Sequence, residues 1–124
     1  MNFGLEEGMA ANGVEYVTIP AFHEMPASSM GSWLSRAREI CGAAQFDQVW
    51  LEIVHSNLDE PFLEWVATLA PVRVGFICES LEIDPGEWIN NPDGTLRRQK
   101  AVEQRLPYLT HIVAVDEADV ERFN

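Results

Sequence analysis

The chain alternates between short runs of apolar residues and longer segments in which apolar residues recur every three or four positions. The short runs are rich in β-branched and aromatic residues and are typical of strands, whereas the recurring spacing is typical of amphipathic helices. Glycine, proline and asparagine punctuate the segments between them. The pattern predicts helices over 4–12, 30–44, 60–69 and 95–106, a final helical turn over 116–119, and strands over 14–19, 49–54, 72–78 and 111–115.

The alternation of strands and helices predicts the fold class. The runs over 49–54 and 72–78 are almost continuously apolar, as expected for strands that are covered on both faces. Helices of about 10–15 residues between such strands favour a parallel sheet with crossover helices. We therefore expect a single α/β domain over 1–124, a three-layer Rossmann-like arrangement of about four parallel strands flanked by helices.

Composition and charge narrow the classes of function. The 124 residues are 47% apolar and 23% charged, which is ordinary for one globular domain. Twenty acidic residues against eight basic ones give a net charge of −12. A chain this acidic repels phosphate backbones and anionic lipid surfaces, so we expect neither a nucleic-acid partner nor a membrane partner.

The remaining sequence signals favour a cytoplasmic protein without a cofactor. No apolar stretch approaches the ~18 residues of a membrane span, and the acidic start of the chain is unlike a secretory signal. Cys41 and Cys78 fall on different elements without metal-ligand spacing, and we expect two reduced, buried thiols. Glycine-rich phosphate loops are absent, so no nucleotide cofactor is expected, and the absence of a GxSxG elbow leaves a hydrolase of that type without support. We assign no residue as a metal ligand.

Several polar residues follow the predicted strands. Because ligands bind beyond the carboxyl ends of parallel strands, the candidate ligand-binding residues are those at these ends, namely His23, His55, Glu79, Ser80 and Asp116. An imidazole beside a carboxylate would also suit proton transfer or a divalent metal, which leaves a small metal-dependent enzyme as one reading. The plainer alternative is that these side chains cap helices and solvate loops.

Three further features each leave two interpretations open. Trp88, in a proline-rich loop, is either packed on the domain or a platform for a sugar ring or a partner surface. Arg97 and Arg98, near a helix start predicted at Thr95, either bind an anion or belong to the solvated surface. Glu52 is either a buried carboxylate that needs a partner or a residue on the wet face of an edge strand.

Short phrases along the chain resemble a known enzyme family. GLEEGMAANGVEYVTIP resembles the first helix and second strand of glycosyltransferases with two Rossmann-like domains, the GT-B fold. FDQVWLEIV and APVRVGFICES are similar to the strands that follow, and RRQKAVEQRLPYLTHIVAVDEADVERF is similar to the segment closing the amino-terminal half. The nearest subgroup is the spore-maturation-like glycosyltransferases.

The resemblance implies part of an enzyme. The family's first strand and its donor-binding carboxy-terminal domain have no counterpart here, so we expect an acceptor-side domain or fragment that is not catalytic alone. Its partner would be a sugar or glycosyl acceptor, bound at an edge built from His23, His55, Glu79, Ser80 and Trp88. Whether the chain turns over a substrate stays open.

A different class of function stays open beside this one. A sheet without its first strand would leave an apolar edge or face uncovered, and a second copy of the chain would cover it. The alternative to the glycosyltransferase-like domain is therefore a small acidic interaction module that forms a homodimer.

Overall fold

A computed structural model describes residues 5–19, 30–54, 58–78, 81 and 92–123. The chain divides into two compact units, Met1–Ala43 and Ala44–Asn124. The helices are α1 (Leu5–Ala11), α2 (Met30–Cys41), α3 (Glu60–Leu69), α4 (Pro92–Arg105), a 3-10 turn (Leu106–Tyr108) and α5 (Glu117–Phe123). The strands are β1 (Gln48–Glu52), β2 (Val72–Ile77) and β3 (His111–Ala114). Among these helices, none is long and apolar enough to cross a bilayer.

The first unit contains α1 and α2. Helix α1 is followed by the Asn12-Gly13 pair, which is typical of a helix end. Gly13 has φ of 69°, which costs glycine little, and the Asn12 side-chain Nδ2 donates to the Gly8 carbonyl at 2.7 Å. Helix α2 buries Trp33, Ala37 and Cys41, which are spaced four residues apart and therefore share one face.

The strand predicted over 14–19 is not formed. Val14, Tyr16 and Val17 are 47%, 43% and 48% exposed, and in the described part of the chain the segment pairs with no strand. β-branched and aromatic residues favour extended backbone, but a strand also needs a neighbour to take its hydrogen bonds and bury one face. The expected sheet of about four strands therefore has three among the described residues.

The second unit is built on a parallel sheet with the strand order β1-β2-β3. Gln48 pairs with Val72 at one end of β1, and Glu52 pairs with Phe76 at the other. The register between β2 and β3 runs from the Val74–His111 pair to Ile77 and Ala114. Three parallel strands flanked by helices confirm the mixed α/β class.

A glycine in β2 allows the 3-10 segment to lie close to the sheet. A Cβ atom on Gly75 would stand 2.5 Å from Leu109 Cδ1 and 2.9 Å from Ile53 Cδ1. No alanine fits there unless those side chains move. The missing side chain of Gly75 thereby leaves room for Leu109 and Ile53 beside the hydrophobic core. The buried residues of this core are Ile53, Val54, Ile77, Leu81 and Val102.

Helix α3 begins as its sequence predicts. The Asp59 carboxylate accepts a 3.0 Å hydrogen bond from the Phe62 amide, which satisfies one of the free donors at the helix start. Pro61 occupies the first turn, where its missing N–H costs nothing. The helix then buries Phe62, Leu63 and Val66 along one face.

Strand β1 differs from the expectation that both of its faces are covered. Trp50, placed in the core by its apolar neighbours, is 45% exposed, and its indole N–H donates to the Gln48 side chain at 2.9 Å. Burial alternates along the strand, so one face is packed and the other is open to solvent. Apolar composition alone does not distinguish these two environments.

Candidate ligand-binding edge of the sheet

The carboxyl ends of the three parallel strands lie at one edge of the sheet, and three buried polar side chains reach that edge from the helices. Gln99 and Arg105 of α4 are each 9% exposed, and Asp119 of α5 is fully buried. Burying a polar group costs free energy unless it is hydrogen-bonded, so the partners of these side chains show what they hold in place. We refer to these three side chains as the anchoring residues.

Arg105 holds the end of β1. Its guanidinium Nη1 donates to the Ile53 carbonyl at 2.5 Å, immediately beyond the strand. Burial lowers the pKa of Arg105, and the nearby Glu52 carboxylate opposes that shift with a smaller effect. Glu52 itself accepts a 2.7 Å hydrogen bond from the Val54 amide. Glu52 lies on the same face of β1 as the exposed Gln48 and Trp50, but its carboxylate is partly buried and has a cation nearby and a backbone donor.

Gln99 and Asp119 hold the backbone that follows β2. The Leu81 amide donates to Asp119 Oδ2 at 2.8 Å, and the Leu81 carbonyl accepts from Gln99 Nε2 at 2.7 Å. Both polar groups of one buried residue are therefore satisfied by side chains from two different helices. The other Asp119 oxygen lies 3.8 Å from Nε of Arg122, which balances part of its charge.

Asp116 lies at the end of β3, at the predicted edge. Its carboxylate accepts a 2.9 Å hydrogen bond from the Ala118 amide, and its carbonyl accepts from the Asp119 and Val120 amides at 3.1 and 3.2 Å. These bonds begin α5, so Asp116 has the capping role that a carboxylate at a helix start commonly has. Its position at the carboxyl edge is also the one that ligand binding requires.

The remaining predicted ligand-binding residues lie outside the described residues. They are His23, His55, Glu79, Ser80 and Trp88. Their proposed roles stay predictions. Among the described side chains, no group of three histidines, cysteines or carboxylates comes together in the way that a metal ion needs.

The basic residues from Arg97 to Arg105 all lie on one helix, but they differ in burial. They are Arg97, Arg98, Lys100 and Arg105. Helix α4 begins at Pro92, three residues before the predicted start, so Arg97 is its sixth residue, about 7.5 Å along the axis from the first. The free backbone donors that could hold an anion belong to the first four residues. Arg97 and Lys100 are exposed, Arg98 is half-buried, and Arg105 faces the core. The four cations thus do not form one surface patch.

Sequence reasoning missed the anchoring residues, although part of the signal was present. Gln99 and Arg105 lie three residues before and after the buried Val102, so all three occupy the inward stripe of α4. A helical projection centred on Val102 would have placed both side chains inside. Asp119 gives no such local signal, because its backbone partner is 38 positions away in the chain.

A second feature lies beside β3. An open groove of about 410 Å³ is bounded by the 3-10 turn, β3 and α5, and its apolar lining consists of Leu106, Leu109, Ile112, Val120 and Phe123. Thr110 and His111 supply its polar wall, where the Thr110 hydroxyl lies 2.8 Å from His111 Nδ1. Thr110 precedes β3 and His111 begins it. The polar wall of the groove therefore lies at the amino end of the strand, and the groove is a separate feature from the carboxyl edge.

Comparisons with protein-family models, with curated proteins and with solved structures find no match to this chain.

Proposed function

We propose that this chain is an acceptor-side α/β domain of the glycosyltransferase type, which binds a sugar or glycosyl acceptor at the carboxyl edge of its parallel sheet and does not transfer a sugar by itself. One observation carries the proposal. Buried polar side chains from two helices fix the backbone at the ends of β1 and β2, at the edge where ligands of open parallel sheets bind.

The energetics of the anchoring residues support a binding role. Burying an arginine or an aspartate has a desolvation cost that offsets part of the stability its hydrogen bonds provide. Its consequence is that the backbone at Ile53 and Leu81 is held in place, which lowers the entropic cost of binding a ligand beside these residues. Glu52 and Asp116 also place carboxylates at this edge, and carboxylates accept hydrogen bonds from sugar hydroxyls.

The order of elements is a second support. Three of the phrases similar to glycosyltransferase strands coincide with β1, β2 and β3, and the phrase similar to the closing helix falls on α4, whereas the phrase similar to the family's second strand falls on 14–19, where no strand forms. The resemblance places acceptor recognition in this half of the enzyme and most donor binding in the other. Binding without turnover is therefore the expected behaviour of this chain.

Calorimetric titration with a panel of sugars tests the proposal. The probes are the methyl glycosides of glucose, galactose, mannose and N-acetylglucosamine, and we expect at least one to bind with a Kd of about 1 mM. Arg105→Met should weaken that binding by releasing the end of β1. Arg97→Met, the same substitution on the exposed face of α4, should leave it unchanged.

Two results would contradict the proposal. One is the absence of saturable binding for every glycoside in the panel. The other is release of UDP from UDP-glucose by this chain alone with a glycoside present, because that turnover would make it a complete enzyme.

A further inference from the structure

Strand β3 lies at one edge of the described sheet and presents exposed apolar side chains there. In the described part of the chain it pairs only with β2, at the end of the strand order. Successive N–H groups of a strand point to opposite sides. Because the Val115 N–H donates to the Ile77 carbonyl of β2, the N–H of Ala114 points away from β2, toward the outer side of the sheet. Val113 and Val115 are 48% and 70% exposed.

Exposed edges of this kind are usually protected. Lysines, prolines or bulges prevent an outer strand from pairing with another chain. The run from His111 to Val115 contains no lysine, proline or carboxylate, and its register with β2 is regular. The strand therefore offers backbone hydrogen bonds and apolar side chains to an incoming extended segment.

The groove beside β3 fits the side chains of such a segment. An added strand would place alternate side chains about 6.6–6.8 Å apart on the groove side. There they would meet the apolar lining supplied by Ile112, Val120 and Phe123, of which Val120 is 45% exposed. The groove and the strand edge together thus resemble the binding surface of domains that recognise peptides by strand addition.

The negative charge of the chain favours a basic partner segment over a second copy of the chain at this edge. Glu117 and Glu121 are exposed on α5, whose one basic residue is the exposed Arg122, and the whole chain carries a net charge of −12. A second copy of this chain would bring the same negative charge, whereas lysine or arginine side chains would be attracted. We propose that the outer edge of β3 binds an extended segment of a partner protein in which apolar residues alternate with basic ones. This interaction does not depend on sugar binding.

Synthetic peptides of about ten residues provide the test. The probe is a fluorescein-labelled peptide of alternating valine and lysine, followed by fluorescence anisotropy. We expect binding that weakens as salt rises to about 0.5 M, and at least about tenfold weaker binding for the valine–glutamate counterpart. Two further peptides carry N-methyl groups on every second backbone nitrogen, one at the odd and one at the even positions. One of the two should bind about tenfold more weakly, because its methyl groups replace the N–H donors that face β3. Equal binding of all these peptides, or no binding of the lysine peptide, would overturn the proposal.

Variants of the chain locate the contact. Val113→Lys should weaken binding of the valine–lysine peptide about tenfold through charge repulsion and loss of apolar contact. Trp50→Lys is the control, because Trp50 is 45% exposed on β1, at the opposite end of the strand order from β3. Val115→Lys, at a position 70% exposed, repeats the test with little risk to folding. Equal losses in the Trp50 and Val113 variants would refute the location. In sedimentation equilibrium, a dimer of the unmodified chain that Val113→Lys dissociates would instead identify a second copy as the occupant.

Discussion

Replacing Arg105 by methionine removes the guanidinium that holds the end of β1 while keeping most of the apolar stem. The Ile53 carbonyl, on a residue with no exposed surface, loses its donor, and Glu52 loses a nearby cation. A hydrogen bond to a charged group contributes about 1.5–3 kcal/mol, and relief of the arginine's desolvation returns part of that. We expect the variant to lose about 2 kcal/mol in free energy of unfolding.

Amide hydrogen exchange and urea unfolding measure this loss. Exchange at the Val54 amide, which donates to Glu52, should accelerate by up to about 30-fold if exchange there requires global opening. Arg97→Met on the exposed face of the same helix should change stability by less than about 0.5 kcal/mol. Equal stability of the two variants would refute the role assigned to Arg105.

Other substitutions and modifications test the packing within each of the two units. Gly75→Ala should destabilise the chain by about 1–3 kcal/mol in urea unfolding, since its Cβ would lie 2.5 Å from Leu109 Cδ1; an unchanged midpoint would contradict the packing. Asp59→Ala should cost about 1 kcal/mol by removing the N-cap of α3, and Asp59→Asn should recover most of it. Burial raises the pKa of the Cys41 thiol, so the folded chain forms the thiolate at higher pH than the unfolded chain, and stability falls as the pH rises from the unfolded pKa toward the folded one. In a Cys78→Ser background, iodoacetamide at about pH 8.5 should therefore modify Cys41 more slowly when folded than in urea, and equal rates by mass spectrometry would be inconsistent with that burial.

Much of the fold follows from local pattern. Three apolar runs bounded by turn residues become β1, β2 and β3, and α3 begins and ends where Asp59, Pro61 and its apolar stripe predict. The segment over 14–19 has the same type of composition, yet it forms no strand. The difference is tertiary, because pairing depends on a neighbouring strand that propensity does not specify.

The candidate site was only partly accessible to the same reasoning. The position of Asp116 follows from the topology of a parallel sheet, since a residue directly after a strand lies at the carboxyl edge. Arg105 belongs to the same basic stretch as Arg97, but its position on α4 relative to Val102 decides its burial. The contact between Asp119 and Leu81 joins residues 38 positions apart, which no local periodicity predicts.

Chemical-shift mapping by NMR is the most direct test of where a sugar binds on this chain. The ¹⁵N-labelled chain is titrated with whichever methyl glycoside binds most tightly, and the shifted amides are assigned. We expect saturable shifts at Val54, Leu81 and Ala118, which lie at the carboxyl edge, with little change at Gln48 and Val72 at the opposite end of the sheet. Saturable shifts confined to Gln48 and Val72, or none at any concentration, would contradict binding at the carboxyl edge.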